Sequence, residues 1–259
     1  MKFAVVILTK NRDEYLKEAL KSACNQKLKP SRIVVIDNAG STKTKKIVSK
    51  IISKKQKYFY KQITKINNVA TLRNIAAKTI STDYIAFLDD DDYLDKNYLY
   101  NVNKDLKKIK HDMIITNIKR VDGKIKSKFT FFNDETFFMI KDFLNKNPGT
   151  LCSNLIVKKK TFTSLGGFDK NVSGSCDKDL VMKFLIKDKS IFYNKKYHVF
   201  YRMHVAQWSR FPLKVINQRI LFYKKYFRFF SLYDHLKFFA ITLNISIRIF
   251  YNKFRYNSI

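Results

Sequence analysis

The most constraining feature of this 259-residue sequence is the regular alternation of apolar runs with amphipathic stretches in its first third. Short apolar runs predict strands buried on both faces, and apolar residues three and four apart predict helices between them. The predicted strands are Phe3–Leu8, Arg32–Ile36, Tyr58–Ile63 and Tyr84–Leu88, and the predicted helices are Asp13–Asn25, Thr42–Ser53 and Ala70–Thr79. This order implies parallel strands joined by right-handed crossovers, and therefore an α/β fold with a mainly parallel sheet flanked by helices.

The second half of the chain is less regular. Its predicted strands are Met113–Lys119, Lys124–Phe132, Leu151–Val157 and Ile191–His204, and its predicted helices are Tyr98–Ile109, Thr136–Asn145 and Asp177–Lys187. Neither an internal repeat nor a low-complexity linker interrupts this region. We therefore expect one domain over residues 1–205, with halves of about 1–95 and 96–205.

The fourth predicted strand ends in four consecutive carboxylates, Asp89–Asp92. Carboxylates crowded at the end of a buried strand repel one another unless a positive charge lies among them. Mg²⁺ and Mn²⁺ prefer oxygen ligands and often share a site with substrate phosphates. Because open α/β folds bind ligands at the carboxyl ends of their strands, this run and Asp37 predict a metal–phosphate site on one rim. The alternative is a solvated acidic turn, with Asp91 or Asp92 capping a helix that begins near Tyr93.

The net charge of +31 predicts attraction to polyanions such as nucleic acid, anionic lipid or phosphorylated substrates. A coding sequence rich in A and T would also enrich lysine, so part of the excess needs no partner. Zinc-finger spacing, a Gly-rich RNA-binding loop and a helix-turn-helix pattern are all missing from the sequence. We therefore expect no nucleic-acid partner.

The cysteines and the apolar runs bear on the cellular compartment. Cys24, Cys152 and Cys176 are odd in number and widely spaced, which fits neither a disulfide framework nor a zinc site. The apolar segment Met1–Leu8 is too short for a signal peptide, and no apolar run reaches the roughly 18 residues that span a bilayer. We expect a cytoplasmic protein.

From Arg210 onward the composition changes. Residues 210–259 contain ten Lys and Arg residues, fourteen aromatic residues and one acid, Asp234. The spacing of the aromatic residues predicts two amphipathic helices, so residues 206–259 form a helical basic and aromatic extension. Its aromatic face could pack on the domain, or the helices could lie on an anionic membrane with their basic residues toward the headgroups. We favour the membrane, at the inner face of the cytoplasmic membrane.

Several short motifs together resemble glycosyltransferase family 2, whose members have the GT-A fold, with a Rossmann-like sheet. The matching segments are Phe3–Arg12, Arg32–Thr42, Leu72–Ala77, the Asp-X-Asp-like Phe87–Tyr93, Gly166–Asp169, Cys176–Leu180 and Tyr201–His204. The resemblance implies a metal-dependent inverting glycosyltransferase. Such an enzyme moves a hexosyl or N-acetylhexosaminyl group from a nucleotide-sugar donor, most often a UDP-sugar, to a saccharide or lipid-linked saccharide. The implied setting is bacterial lipopolysaccharide, capsule or other surface-glycan synthesis.

The resemblance also implies roles for individual residues. The implied nucleotide-binding residues are Thr9, Asn11, Arg12, Asp37, Arg73, Asp89 and Asp90. The implied ligands of Mn²⁺ or Mg²⁺ are Asp89, Asp91 and His204. Within these sets, Asp37 would hydrogen-bond the base, Arg73 would approach the base or the diphosphate, and Asp89 or Asp90 would hold the ribose. Asp92 would cap the helix that follows.

The general base is implied on the acceptor side, at Asp177 or Asp179. The family usually has an acid just before this position, where the present chain has Cys176. This difference leaves the base shared between the two aspartates, and Asp177 is favoured. It also leaves an alternative function, that of a nucleotide-sugar-binding protein without turnover. A nucleic-acid-binding protein is a third reading, supported by the charge alone.

Overall fold

The structure is a computed structural model that describes residues 1–52, 56–122, 125–126, 139–204 and 212–256. Its strands are β1 (Phe3–Thr9), β2 (Arg32–Asp37), β3 (Tyr58–Gln62), β4 (Tyr84–Asp89), β5 (Tyr93–Leu94), β6 (Met113–Asp122), β7 (Ile125–Lys126), β8 (Leu155–Lys158) and β9 (Ile191–Met203). Its helices are α1 (Asp13–Cys24), α2 (Thr42–Ile51), α3 (Val69–Lys78), α4 (Tyr98–Lys108), α5 (Ile140–Leu144), α6 (Lys159–Ser164), α7 (Cys176–Ile186), α8 (Pro212–Tyr226) and α9 (Leu232–Tyr256).

The described strands form one mixed sheet in the order β3-β2-β1-β4-β8-β6-β9-β5, with β7 paired to β6. The first four strands are parallel, as the alternating pattern predicts. In the second half, β8 lies antiparallel between β4 and β6 while β6 and β9 run parallel, so the sheet as a whole is mixed. In the described part of the chain, the five-residue α5 and the turn Cys152–Asn154 lead into β8, whereas the parallel strands β1, β2 and β4 are joined through helices of ten or more residues.

Two apolar layers cover the two faces of the sheet, and β1 shows how its residues divide between them. Phe3, Val5 and Ile7 pack in the layer that contains α1, α2 and α4. Ala4 and Val6 pack in the opposite layer, which contains α3, α5, α6 and α7. The strand is therefore buried on both sides, as its continuous apolar run predicts.

The C-terminal helices take part in the second apolar layer. Phe222 and Tyr226 of α8, Phe230 of the connection and Phe238 of α9 are between 2% and 8% exposed and belong to the same core as α3 and α7. Packing on the domain therefore accounts for α8 and one face of α9. None of the helices in the described part of the chain is both long enough and apolar enough to cross a membrane.

The opposite face of α9 carries large apolar side chains that contact no core. Their spacing of three or four residues places them along one stripe of the helix. The residues and their exposures are Leu232 (76%), Leu236 (65%), Phe239 (58%), Leu243 (61%) and Ile247 (58%). We call this set the α9 stripe.

The segment before β8 departs from the sequence prediction. The strand predicted at Leu151–Val157 begins only at Leu155, because Cys152–Asn154 forms a 3₁₀ turn. The buried side chain of Asn154 stabilises this turn by donating to the carbonyl oxygens of Thr116 (2.7 Å) and Gly149 (3.0 Å). Most of the predicted strand Lys124–Phe132 and the start of the predicted helix Thr136–Asn145 lie outside the described residues.

The Gly166–Gly167 turn gives a matched pair of substitutions that tests close packing. Both residues have positive φ, +77° and +66°. A Cβ on Gly166 would meet nothing within 4 Å, whereas a Cβ on Gly167 would lie 2.5 Å from Asn74 Oδ1. That oxygen accepts the Phe168 N–H and joins the turn to α3.

We expect Gly166→Ala to cost about 1–2 kcal/mol of unfolding free energy, the strain of the left-handed backbone alone. Gly167→Ala should cost about 1–3 kcal/mol more, because Asn74 must move. Urea denaturation followed by circular dichroism measures both. Equal losses for the two variants would contradict the packing described here.

Candidate active site

The carboxyl ends of β1, β2 and β4 meet on one rim of the sheet. Thr9 is paired with Asp37 across β1 and β2, and Leu8 is paired with Asp89 across β1 and β4. The rim therefore brings together residues from three separate segments of the sequence. This is the position at which α/β folds of this kind bind ligands.

Three carboxylates crowd together at the end of β4. Oxygen atoms of Asp89, Asp91 and Asp92 all lie within 4.8 Å of one another. Burial and the neighbouring charge of Asp91 together raise the pKa of Asp90 to about 7, against the opposing effect of Arg12. Burial and the charges of Asp91 and Asp89 also hold the pKa of Asp92 well above its usual range. The cluster is thus short of positive charge, and its oxygen donors suit a hard divalent cation such as Mn²⁺ or Mg²⁺.

Arg12 and His204 supply the protein's own partners for this cluster. Arg12, just before α1, places its Nη1 atom 2.7 Å from Asp91 Oδ2 and 3.2 Å from Asp90 Oδ1. The Nε2 atom of His204, just after β9, lies 2.8 Å from the same Asp91 oxygen. The structure therefore brings both ends of the candidate domain to Asp91, and places His204 against this carboxylate.

Asp92 does not cap a helix, which corrects our expectation. It is followed by β5, and the next helix, α4, begins only at Tyr98. Its carboxylate is 1% exposed and accepts hydrogen bonds from Ser153 Oγ (2.6 Å) and from the Arg202 N–H (3.2 Å). Asp92 is therefore a buried member of the cluster, and its position depends on the 3₁₀ turn and on β9.

Two functional neighbours escaped the sequence analysis. Ser153 accepts the Asp89 N–H at 3.0 Å in addition to its bond to Asp92, and nothing in its local sequence indicates this. Arg202 donates from Nε to the Asp91 carbonyl oxygen (3.1 Å) and pairs with Glu18 of α1. Arg202 could have been predicted from the sequence, because it belongs to the same Tyr-Arg-Met-His motif from which His204 was predicted.

The turn after β2 corrects the role expected of Asp37. This carboxylate is fully buried and accepts the N–H groups of Ala39 (2.8 Å), Gly40 (3.2 Å) and Ser41 (3.0 Å), together with the hydroxyl of Tyr60 (2.8 Å). Four donors leave it no free lone pair directed at a nucleotide base. Asp37 instead fixes the shape of the turn.

Asn38, the next residue, is the better candidate for base contact. Its Nδ2 donates to the carbonyl oxygens of Ile63 (2.6 Å) and Ile66 (2.7 Å). The orientation of the amide is therefore fixed, and Oδ1 is its remaining acceptor. Thr9, 4% exposed, lies beside it through its carbonyl oxygen, which accepts the Asn38 N–H at 2.8 Å. Asn11 is exposed and adopts a left-handed backbone, with φ of 54°.

Arg73 of α3 lies beside the carboxylate cluster. It is 8% exposed, and its guanidinium pairs with Asp89 and donates from Nη1 to Cys176 Sγ at 3.3 Å. It thereby links the carboxylate cluster to the start of α7. Burial opposes its charge, but the carboxylate of Asp89 keeps its pKa above the usual value.

The two candidate bases at the start of α7 have different environments. Asp177 is partly exposed, and burial raises its pKa to about 6, with Arg73 opposing and Asp89 adding to the shift. Asp179 is fully buried, pairs with Lys225 and Lys183, and accepts the Tyr226 hydroxyl at 2.7 Å. Asp179 is therefore enclosed by its partners, whereas Asp177 is partly exposed.

Comparison with known proteins agrees with the family that the sequence motifs resemble. The chain is 28% identical over 126 residues to the poly(ribitol-phosphate) beta-N-acetylglucosaminyltransferase TarS of Staphylococcus aureus, which covers 48% of this chain and 22% of that protein. The chain therefore spans about a fifth of the length of this relative.

Two solved structures have the same fold. The structure of S. aureus TarS residues 1–349 in complex with UDP-GlcNAc superposes with a TM-score of 0.68 at 22% identity, over 95% of this chain and 72% of that chain. The mannosyltransferase PcManGT from Pyrobaculum calidifontis, in complex with GDP-Man and Mn²⁺, gives a TM-score of 0.65 at 16% identity, over 88% and 64%. These likenesses identify the α/β sheet as a GT-A fold.

The model of the glycosyl transferase family 2 matches residues 4–163, which is more than half of the chain. These residues include all but the first residue of β1, the carboxylate cluster, Arg73 and Ser153. The match agrees with the rim site that the structure assembles from the same segments. The chain belongs to glycosyl transferase family 2.

Proposed function

We propose that this protein is a metal-dependent, inverting glycosyltransferase that moves a hexosyl or N-acetylhexosaminyl group from a UDP-sugar to a saccharide acceptor. The observation that carries the proposal is the link through Arg73, because it brings the acidic cluster and Asp177 to one site. A leaving diphosphate and an attacking hydroxyl need these two kinds of group near each other. Family membership and the relatives named above support the reaction class.

On the donor side, Asn38 takes the role first expected of Asp37 and accepts a hydrogen bond from the base. Thr9, Asn11 and Arg12 line the same pocket, and Asp89 or Asp90 holds the ribose hydroxyls. Asp89, Asp91 and Asp92 would hold the Mn²⁺ or Mg²⁺ ion, next to His204. A bound divalent cation neutralises the charge that develops on the diphosphate leaving group.

The transfer is a single displacement at the anomeric carbon. An acceptor hydroxyl gives its proton to the Asp177 carboxylate while its oxygen forms the new bond to that carbon. The bond to the diphosphate oxygen breaks, and its electron pair leaves with the nucleoside diphosphate. Asp177 suits this role because a base with a pKa near 6 is ionised at neutral pH and still takes up a proton.

The acceptor we propose is a bacterial surface glycan or its lipid-linked precursor, such as lipopolysaccharide or capsule. The net charge of +31 supports an acceptor that carries negative charge. The relative TarS acts on poly(ribitol-phosphate), as its name states, which is an anionic polymer of this kind.

We also propose that the α9 stripe rests on an anionic membrane, at its inner face. The stripe is apolar, and basic residues lie close to it in sequence, among them Arg228 and Lys237. Apolar side chains inserted below basic ones are typical of helices that lie in the membrane interface. A second copy of this basic chain is a poorer occupant, because two such chains repel each other.

The role of Asp91 can be tested by titration calorimetry with UDP and Mn²⁺. We expect Asp91→Asn to weaken Mn²⁺-dependent UDP binding by about tenfold or more, because the cluster loses a charged ligand. Asp188→Asn is the matched control, since Asp188 is an exposed turn residue with φ of 47°, which asparagine accepts. A folded Asp91→Asn variant that binds UDP like wild type, with or without Mn²⁺, would contradict the metal site.

The role of Asp177 predicts a pH dependence. Because the base must be ionised, kcat/KM for transfer should rise with pH through about 6 and level off above it. Asp177→Asn should lower kcat by about 10²–10⁴-fold and leave UDP binding unchanged. Transfer assays across pH and calorimetry with UDP measure both effects. An Asp177→Asn variant with wild-type kcat would exclude this base, and donor binding without turnover in the wild type would favour the non-catalytic alternative.

Membrane association can be tested by flotation with vesicles that contain phosphatidylglycerol. We expect the double change Leu236→Ser and Phe239→Ser to reduce the bound fraction severalfold, because it interrupts the α9 stripe. The control is Ile109→Ser, which removes an equally exposed apolar side chain (64%) from the end of α4. Unchanged vesicle binding would contradict the proposal, as would a wild-type dimer in size-exclusion chromatography that the double change abolishes.

A further inference from the structure

Helix α8 contacts the start of α7 at three points on one of its faces. Gln218 Oε1 accepts the Gly174 N–H at 2.9 Å, just before α7. The ring of Phe222 lies 3.6 Å below the ammonium group of Lys178. The hydroxyl of Tyr226 donates to Asp179 Oδ1 at 2.7 Å.

The spacing of these three residues of α8 is that of a single helix face. Gln218, Phe222 and Tyr226 are four residues apart, so their side chains lie one above another along the helix. Their partners, Gly174, Lys178 and Asp179, fall within six consecutive residues of the sequence. One rigid element therefore holds one short segment, and Asp177 lies inside that segment.

Asp179 is the most strongly held of these partners. Lys225 bridges Asp179 and Asp169, with Nζ 2.7 Å from Asp169 Oδ2, and Lys183 lies 3.5 Å from the second oxygen of Asp179. Two carboxylates and two ammonium groups thus balance each other in charge. Removing one partner of such an ion pair destabilises the folded protein, because it leaves a buried charge without its counter-charge.

Two aromatic residues of α8 are buried where the helix packs against the segment. Phe222 and Tyr226 are 2% and 4% exposed. Burial against this face lowers the pKa of Lys178 to about 7, with the charge of Arg219 adding to the effect. Lys178, the residue next to Asp177, is therefore packed against α8.

We propose that α8 is a positioning element of the active site, which fixes the Asp177 carboxylate through Gln218, Phe222, Lys225 and Tyr226. This inference deepens the proposed function and rests on it, since it assigns to the C-terminal extension a part in base placement. Helix α7 is held from the donor side by Arg73 at Cys176, and α8 holds it from the other side. A carboxylate that must meet a hydroxyl in line with the leaving group needs this double support.

The test compares Lys225→Met with Lys224→Met, its neighbour on the same helix. Lys224 is exposed, so the control makes the same change in charge and side chain away from Asp179. We expect Lys225→Met to lower kcat for transfer by about 10- to 100-fold. UDP binding with Mn²⁺ should stay within twofold of wild type, and Lys224→Met should behave like wild type in both assays.

Two milder variants keep the inference testable if Lys225→Met fails to fold. Gln218→Ala removes only the hydrogen bond to Gly174, and Tyr226→Phe only the one to Asp179. Each should lower kcat rather than raise KM.

The charged groups near Asp177 are Arg73, Asp89 and Lys178. Because a looser segment is better hydrated, the acidic limb of the kcat/KM profile should shift to lower pH.

Hydrogen exchange separates this inference from the proposed function. In Gln218→Ala and Lys225→Met, the amides of residues 174–180 should exchange faster than in wild type, and those of β1 and β4 should not. This result is independent of turnover, so it would stand even if the protein transferred no sugar. Wild-type kcat, pH profile and exchange in a folded Lys225→Met or Gln218→Ala variant would overturn the inference.

Discussion

Repulsion among the carboxylates at the end of β4 is the constraint on which the rest of the site depends. Four acids follow a buried strand, and each must be separated from its neighbours or paired. The surrounding segments supply the partners: Arg12 before α1, Arg73 on α3, Ser153 before β8, and both Arg202 and His204 from the end of β9. The same electrostatic demand thereby fixes the positions of segments that are distant in sequence.

The alternating half of the fold was predictable from the sequence because its signals are local. The apolar runs that predicted β1, β2 and β4 are buried on both faces, and the rim that they share carries the acids where the pattern placed them. The orientation of β8 was not predictable, because it depends on a turn that Asn154 stabilises through Thr116, 38 residues away. The sequence likewise could not show that Ser153 contacts Asp92, which lies 61 residues before it.

For the site residues, too, the sequence predicted some properties and not others. The sequence placed Asp37 at the right edge of the sheet, but not the direction of its oxygen atoms, which four donors of its own turn and β3 occupy. It left Asp177 and Asp179 open, because both are acids in the first turn of one helix. Tertiary packing separates them, since one faces the rim and the other faces Lys225. Such distinctions depend on side-chain direction, which short motifs do not encode.

The C-terminal helices share a core with the sheet and its helices, and this limits where the chain can be truncated without loss of stability. The family match ends at residue 163, and the sequence motifs end at His204. A boundary drawn at either place would remove Phe222, Tyr226, Phe230 and Phe238, each worth about 1.5–3 kcal/mol of burial. Their sum is comparable to the 5–15 kcal/mol by which an ordinary domain is stable. We therefore expect a chain cut at either place to lose much of its stability, because the core extends through Phe238, past the last motif.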